Sequence, residues 1–227
     1  MVNAKPDLNT LKENMALTTR SRNRLVKEGL RDQNAKEMIG ELFPGIEQFG
    51  FTKGQFSFIN LIEAVLEQTG PADVVISTWT AAAADIHTAF GMLESDRIKS
   101  LRFIIDYSFK TRQPDFCHAL RSIFGDDSIR VTNTHAKFTT IKNEKWNIVI
   151  RTSMNLNLNP RFENYEISDC AVLMEFMTKV VDEIWTKESA AEAFGDTPYQ
   201  HKKRFKSLFD ETSESVYGKL KDATELC

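Results

Sequence analysis

The sequence predicts an α/β fold, in which a mixed β-sheet is flanked by helices. The chain has 227 residues, 41% of them hydrophobic, which is enough to bury the core of one full domain. From residue 55 onward, short apolar segments alternate with helical patterns, an arrangement typical of strands joined by crossover helices. We therefore divide the chain into a helical N-terminal extension (1–54), an α/β domain (55–187) and a helical C-terminal extension (188–227).

The elements of the α/β domain can be predicted in chain order. An apolar helix follows Gly54 and ends at Gly70-Pro71, where two helix-breaking residues meet. The apolar run Ala72–Thr78 predicts a buried strand, and Thr80 is positioned to cap the next helix. The remaining predicted elements are strands at 101–107 and 129–131, a helix at 116–124, a hairpin within 135–151, a strand at 168–174 and a helix at 176–187.

Both extensions contain basic segments that have two interpretations. The N-terminal extension has a helix-favouring composition, with apolar residues at roughly helical spacing from Leu25 to Leu42. Its arginines and lysines fit either a solvated helix face or a contact with nucleic acid or a partner. The basic cluster at 201–206 fits either a solvated helix face or a contact with the phosphate backbone of a nucleic acid.

Nothing in the sequence predicts a membrane span or a secretory signal. No run of about eighteen apolar residues occurs, and the first residues lack an apolar stretch. Cys117, Cys170 and Cys227 are widely spaced and form no metal-binding motif, which is typical of reduced thiols. We therefore expect a cytoplasmic protein that needs no metal or other cofactor.

The net charge of −3 argues against a protein that coats nucleic acid through charge alone, but it leaves room for a local basic groove. Lys110 and Arg112 lie in a basic loop that follows the second predicted strand. Arg161 lies in the polar loop after the hairpin. These three residues are the candidate substrate-binding cations.

The segment 135–166 contains the residues with the most distinctive chemistry. Side chains alternate along a strand, so His135 and Lys137 point the same way. The second strand of the hairpin leads directly into Ser153 and Asn155, and the turn of the hairpin brings the far ends of the two strands side by side. An imidazole, an ammonium, a hydroxyl and an amide would then meet at one end of the sheet, as suits an anionic substrate.

These groups together suit phosphoryl transfer. An imidazole can act as nucleophile or as general acid and base, and Lys137 supplies positive charge for a phosphoryl oxygen. Ser153 and Asn155 can donate hydrogen bonds to other oxygens of the transition state. Glu166 can orient the imidazole, as a carboxylate does in other nucleophilic triads. The residues by themselves also fit a hairpin whose outer face is simply polar.

The same residues carry a resemblance to a known family. His135-Ala136-Lys137, Ser153-Met154-Asn155 and Asn164-Tyr165-Glu166 resemble the signature of the phospholipase D superfamily, in which H-x-K is followed by G-S-x-N and a downstream acidic residue. The resemblance covers roughly residues 55–187 and is strongest from residue 130 onward. Two positions depart from the pattern: Thr152 replaces the glycine, and Lys142 stands where the family often has an aspartate.

The resemblance implies both a mechanism and an assembly. The superfamily active site uses two copies of the motif and this chain has one, so a homodimer with a shared site is implied, as in the small bacterial endonucleases of the superfamily. His135 of one protomer would form a phosphohistidine, and His135 of the other would act as general acid and then base. Lys137 and Asn155 would hold phosphoryl oxygens, Ser153 and Glu166 would orient the imidazoles, and no metal would be needed.

We therefore expect a metal-independent phosphodiesterase that acts on nucleic acid, most simply a DNA endonuclease, with His135, Lys137, Ser153, Asn155 and Glu166 as catalytic residues. DNA is expected more than RNA, and no membrane contact is expected. Two alternatives remain open. One is a phospholipase or phosphatidyl transferase, and the other is a catalytically degenerate member that binds DNA or a protein.

Overall fold

The computed structural model describes residues 19–21, 24–30, 32–188 and 190. Within them a single mixed sheet of nine strands runs through the molecule, in the order β1-β2-β3-β9-β8-β7-β4-β5-β6. The strands are β1 (Thr19–Ser21), β2 (Arg24–Glu28), β3 (Glu47–Thr52), β4 (Ala72–Thr78), β5 (Ile98–Asp106), β6 (Ile129–Thr132), β7 (Phe138–Lys142), β8 (Asn147–Thr152) and β9 (Glu163–Asp169). β4, β5 and β6 are parallel to one another, whereas β7, β8, β9 and β3 pair in antiparallel fashion.

Helices cover both faces of the sheet, which confirms the predicted α/β class. They are α1 (Ala35–Ile39), α2 (Phe58–Thr69), α3 (Ala83–Glu94), α4 (Phe109–Arg112), α5 (Pro114–Phe124) and α6 (Ala171–Lys187). The larger apolar cluster contains buried residues of α1, α2, α3 and α5. A smaller cluster lies under α6, where Met174, Met177 and Val181 pack against Val75 and Val149 of the sheet. The spacing of the three α6 residues is the amphipathic pattern of a helix with one covered face.

The prediction of a helical N-terminal extension over 1–54 is wrong for most of its described part. β2 pairs with β3, and β3 pairs with β9, so this segment extends the sheet of the main domain. In β3 fully buried and half-buried residues alternate, which is the period of a strand. Pairing with a strand far along the chain outweighs the local preference of this composition for a helix. Within the part of this segment that the structure describes, helical structure is limited to the five residues of α1.

Two smaller predictions are also corrected. The strand predicted at 168–174 lies earlier in the chain, since β9 ends at Asp169 and α6 starts at Ala171, where the Cys170 sulfur accepts a hydrogen bond from the Leu173 amide. Thr80 does not cap α3; its hydroxyl donates to the Gln113 side chain. Cys117 is a free, buried thiol, as expected.

The C-terminal extension predicted for 188–227 lies outside the described residues, apart from Glu188 and Ala190. Across the described part of the chain, no helix has the length and apolar character needed to cross a membrane. The same part contains no group of three or more histidine, cysteine, aspartate or glutamate residues arranged to hold a metal ion.

Several strands start or stop at the same end of the sheet, and polar residues lie there. β4, β5 and β8 end there, and β7 and β9 begin there. Because neighbouring antiparallel strands reverse direction, the residues just before β7 and those just after β4 and β8 are brought to the same place. The predicted catalytic segments lie at this end of the sheet.

Candidate active site

Hydrogen bonds between side chains and backbone groups hold the His135-Ala136-Lys137 segment at this end of the sheet. The Ser77 hydroxyl at the end of β4 donates to the Ala136 carbonyl at 2.8 Å, and the Ala136 amide donates to Thr134 Oγ1 at 3.1 Å. The Thr134 amide in turn donates to Asp106 Oδ2 at 3.2 Å, and Asp106 is buried. These bonds fix the segment on both sides of His135 although the segment itself has no strand structure.

His135 and Lys137 lie against each other. Lys137 Nζ is 3.0 Å from Nδ1 and 3.2 Å from Nε2 of the exposed His135 ring. Burial lowers the pKa of Lys137 from its ordinary value, and the nearby Glu163 carboxylate partly opposes this shift. The two side chains therefore present an imidazole and a partly buried ammonium at one point.

A pocket of about 550 Å³ opens beside these two residues. Four of the five predicted catalytic residues line it, namely His135, Lys137, Ser153 and Glu166. The remaining wall is made by Ala136, Phe138, Arg151, Thr152, Asn164 and Met177. The hairpin thus brings together residues that sequence reasoning placed at one end of the sheet.

Ser153 is bonded to a carboxylate that sequence reasoning missed. Its hydroxyl donates to Glu163 Oε2, and it accepts from the Asn164 amide at 3.0 Å. Glu163 is the first residue of β9 and also acts electrostatically on Lys137. It was not singled out because the triplet ending at Glu166 matched the family signature, whereas Glu163 has no motif of its own.

Glu166 lines the pocket, and its carboxylate is paired with two arginines. Its Oε1 accepts from Arg151 at 2.8 Å and from Arg24 at 3.3 Å. Residues three apart on a strand point to opposite faces, so Glu163 and Glu166 cannot share one side of β9. Of the two carboxylates, the structure joins Glu163 to Ser153 and Glu166 to the two arginines.

Asn155 does not line the pocket. It lies just before Leu156, which forms a bridge with Ala81, and the Ala82 amide donates to the Leu156 carbonyl at 2.6 Å. Its side-chain oxygen is buried and has no hydrogen-bond partner among the described residues. The structure therefore leaves Asn155 outside the pocket that the other four predicted catalytic residues line.

Thr152, which replaces the family glycine, is accommodated by hydrogen bonds. Its hydroxyl donates to the Asn164 carbonyl at 2.6 Å and accepts from the Met154 amide at 3.0 Å. Its amide donates to the Lys137 carbonyl at 3.1 Å. Thr152 therefore ties the two sides of the site together. Lys142 lies exposed at the opposite end of β7.

The three candidate substrate-binding cations occupy different surroundings. Arg161 is exposed in the loop between β8 and β9. Burial lowers the pKa of Lys110 from its ordinary value, and a charge interaction with Cys117 opposes the shift. Arg112 is exposed, yet its guanidinium lies over the Trp79 ring at 3.6 Å from the ring centroid.

Comparisons with known proteins give a weak structural likeness and no match in sequence. Neither the models of protein families nor the curated proteins contain a match. Among solved structures, the chain is similar to phosphatidylserine synthase from Haemophilus influenzae Rd KW20, with a TM-score of 0.43 and 16% sequence identity. The match covers 77% of this chain and 46% of that one, so this chain spans less than half the length of that protein.

Proposed function

We propose that the protein is a metal-independent phosphodiesterase with His135 as its nucleophile. One observation carries the proposal. His135, Lys137 and Ser153, which come from two strand ends, line one pocket of about 550 Å³, with Lys137 Nζ at 3.0 Å from the imidazole. A nucleophile beside a fixed positive charge is the arrangement that attack on an anionic phosphodiester requires.

The reaction proceeds in two displacements. A nitrogen of His135 attacks phosphorus, the bond from phosphorus to the leaving oxygen breaks, and that oxygen takes a proton from His135 of a second protomer. Water then gives this second imidazole a proton and attacks the phosphohistidine, which releases the phosphate monoester and restores His135. Lys137 stabilises the charge on the non-bridging oxygens in both steps.

The remaining polar groups orient these residues. Ser153, held by Glu163 and by the Asn164 amide, supplies a hydroxyl at the pocket wall. The side-chain amide of Asn155 can donate a hydrogen bond through Nδ2, and this group is the proposed contact for a phosphoryl oxygen. Glu166 fixes Arg151 at the pocket, since the two form an ion pair at 2.8 Å. Glu163 is the carboxylate best placed to support the site through Ser153.

The proposed substrate is nucleic acid, and DNA in particular. Arg151 lines the pocket, and Arg161 lies exposed in the loop that leaves Ser153. Cations beside a phosphodiester site favour a polyanionic substrate. A homodimer with a shared site is part of the proposal, because the chemistry uses two imidazoles and the described site contains one. The cytoplasm is the proposed location.

The test is cleavage of plasmid and single-stranded DNA in excess chelator. Wild-type protein is expected to cut in the presence of EDTA, and His135→Ala is expected to remove the activity. His87→Ala is the matched control, because His87 is an exposed histidine on α3 outside the pocket. Cleavage that depends on added magnesium would refute the mechanism. Intact DNA together with tight binding would identify a non-catalytic nucleic-acid-binding protein.

A phosphatidyl transferase or phospholipase is the second candidate, and one observation favours it. Leu158 and Phe162, in the loop between Ser153 and β9, are 62% and 63% exposed. Large apolar side chains beside an active site suit contact with a lipid surface. The test is release of the headgroup from phosphatidylglycerol vesicles. Release by a protein that leaves DNA uncut, and its loss in Leu158→Ser/Phe162→Ser, would establish this alternative in place of the nuclease.

A further inference from the structure

We infer that Trp79 is the positioning residue for the His135 imidazole, and that Arg112 acts on the site by holding Trp79. The consequence for catalysis rests on the proposed function. The contact itself rests on geometry alone, and the two can be tested separately.

Trp79 reaches His135 because of the register of two strands. β4 and β7 pair in antiparallel fashion, with Ser77 opposite Phe138. Continuing the pairing past this point places the residues after β4 beside those before β7, and the bond from Ser77 to the Ala136 carbonyl keeps them together. Trp79 directly follows β4 and is therefore placed beside the histidine by the sheet itself.

The two rings are in contact. Their centroids are 5.5 Å apart, with an angle of 58° between the ring planes. This lies within the distance range of favourable aromatic pairs, in which tilted arrangements are common. A large flat side chain on one side of the imidazole limits the directions in which the ring can turn.

The indole is itself fixed by Arg112. The guanidinium stacks on the Trp79 ring, Nη2 donates to the Trp79 carbonyl at 2.8 Å, and Nε donates to Ser108 Oγ at 2.9 Å. Ser108 donates to Asp106, whose other carboxylate oxygen accepts from Thr134, the residue before His135. The Arg112–Trp79 stack and the hydrogen bond from Thr134 to Asp106 are therefore linked through Ser108, and both act on the position of His135.

His135 depends on this packing because no carboxylate of the described residues contacts its ring. Among the described residues, the ring nitrogens have Lys137 Nζ as their polar contact. In nucleophilic triads a carboxylate accepts the ring N–H and fixes the orientation of the imidazole. Here the Glu163 carboxylate is bonded to Ser153 and that of Glu166 to two arginines. The aromatic contact takes over the orienting role.

The first experiment is a kinetic comparison of Trp79→Ala with Trp79→Phe in the EDTA cleavage assay. Loss of the ring should lower kcat by about 100-fold with little change in KM, because misplacement by about 1 Å has effects of that size. Phenylalanine keeps a ring at the contact and should restore kcat to within about tenfold of wild type. A raised KM with unchanged kcat would instead mean that Trp79 binds substrate, and would overturn the inference.

The second experiment needs no activity. In a Trp146→Phe/Trp185→Phe background Trp79 is the one remaining tryptophan of the chain. Adding His135→Ala should shift its emission and its accessibility to a neutral quencher, whereas His87→Ala should change neither. Unchanged emission on removal of His135 would refute the contact. A shift in emission in a protein that cleaves neither DNA nor lipid would refute the proposed function while retaining the contact.

The third experiment separates the two roles open to Arg112. Lysine keeps the charge but loses the planar fork that stacks and donates two bonds. If Arg112 holds Trp79, then Arg112→Lys should lose nearly as much kcat as Arg112→Ala, and neither change should add fully to Trp79→Ala. If Arg112→Lys keeps wild-type kcat while Arg112→Ala raises KM, Arg112 contacts substrate and its proposed role is wrong.

Discussion

Two carboxylates on β9 are three residues apart and have different partners. Glu163 begins the strand and accepts from Ser153, whereas Glu166 pairs with Arg24 and Arg151 on the other face. Both lie near Lys137 and Ser153: Glu166 lines the pocket with them, whereas Glu163 bonds Ser153 directly and acts electrostatically on Lys137. This difference in partners decides which carboxylate supports the chemistry.

Glu163→Gln is expected to lower kcat by about 10- to 100-fold, because the amide cannot serve Ser153 and Lys137 as a charged acceptor. Glu166→Gln should change kcat less and cost under about 1 kcal/mol of stability, since its arginine partners are half exposed. The measurement is cleavage kinetics in chelator, with urea unfolding as the check on stability. A larger loss of kcat in Glu166→Gln than in Glu163→Gln would show that Glu166 is the supporting carboxylate, as the sequence resemblance implies.

At the residue scale, the sequence reveals those site residues that lie in one local pattern. His135, Lys137 and Ser153 belong to a hairpin whose turn and alternation can be recognised without a structure. Trp79 follows β4 and Asp106 ends β5, and only the order of strands in the sheet brings them to the segment that contains His135. A tryptophan after a buried strand carries no signal of its own, which is why sequence reasoning passed over it.

At the scale of elements, β3 and β9 show a close fit between a glycine and a tyrosine. Gly50 lies opposite Tyr165, and a Cβ at residue 50 would stand 2.6 Å from the tyrosine ring. Tyr165 is fully buried and accepts a hydrogen bond from Gln48 at 2.7 Å. The glycine therefore leaves the space that the ring fills.

Gly50→Ala should destabilise the protein by about 1–3 kcal/mol, because the ring is surrounded and cannot move aside. Gly91→Ala is the matched control: it lies within α3, and nothing stands within 4 Å of the added Cβ. That change should stabilise by about 0.5–1 kcal/mol, since alanine favours the helix. Urea unfolding of the two variants gives the comparison, and equal stability of both would contradict the packing described.

The same pair of strands explains why the N-terminal region was misread as a helix. Glu47–Thr52 has few apolar residues on its buried face, where Gln48, Gly50 and Thr52 lie. The Gln48 amide nitrogen donates to the hydroxyl of Tyr165, and the ring of the same tyrosine fills the space beside Gly50; Tyr165 lies on a strand far along the chain. Such complementarity cannot be read from local periodicity, whereas the apolar strands β4 and β5 could be.

At the scale of the whole molecule, the buried phenol of Tyr165 links folding to pH. Burial raises its pKa from 10.0 to about 12, and the hydrogen bond from Gln48 opposes the shift slightly. Between these two values the unfolded chain has lost the phenolic proton and the folded protein keeps it. The unfolded state then binds fewer protons, so the free energy of unfolding falls as pH rises through this range.

The free energy of unfolding should therefore decrease by up to about 3 kcal/mol between pH 10 and 12 through this group. Tyr165→Phe lacks the ionisation and should show a shallower decline from pH 9 to about 11.5, although it starts less stable because Gln48 loses its partner. Urea titrations at several pH values measure the two slopes. Equal slopes would mean that Tyr165 ionises as easily in the folded state as in the unfolded chain.

Assembly is the property of the whole molecule on which the proposed mechanism depends most. Two imidazoles are needed for attack and for protonation of the leaving oxygen, and each chain contributes His135 alone from its motif. If the site is shared across a two-fold axis, a dimer of one wild-type and one His135→Ala chain has no complete site. Activity should then follow the square of the wild-type fraction.

Equal amounts of wild-type and His135→Ala protein, mixed under conditions that exchange subunits, should thus keep about one quarter of the wild-type activity instead of about one half. His87→Ala in place of His135→Ala should leave activity undiminished, because that chain still supplies a working imidazole. Light scattering on the same samples should give twice the mass of the chain. A linear dependence on the wild-type fraction, or a monomeric mass in an active sample, would show that one chain carries out the reaction alone.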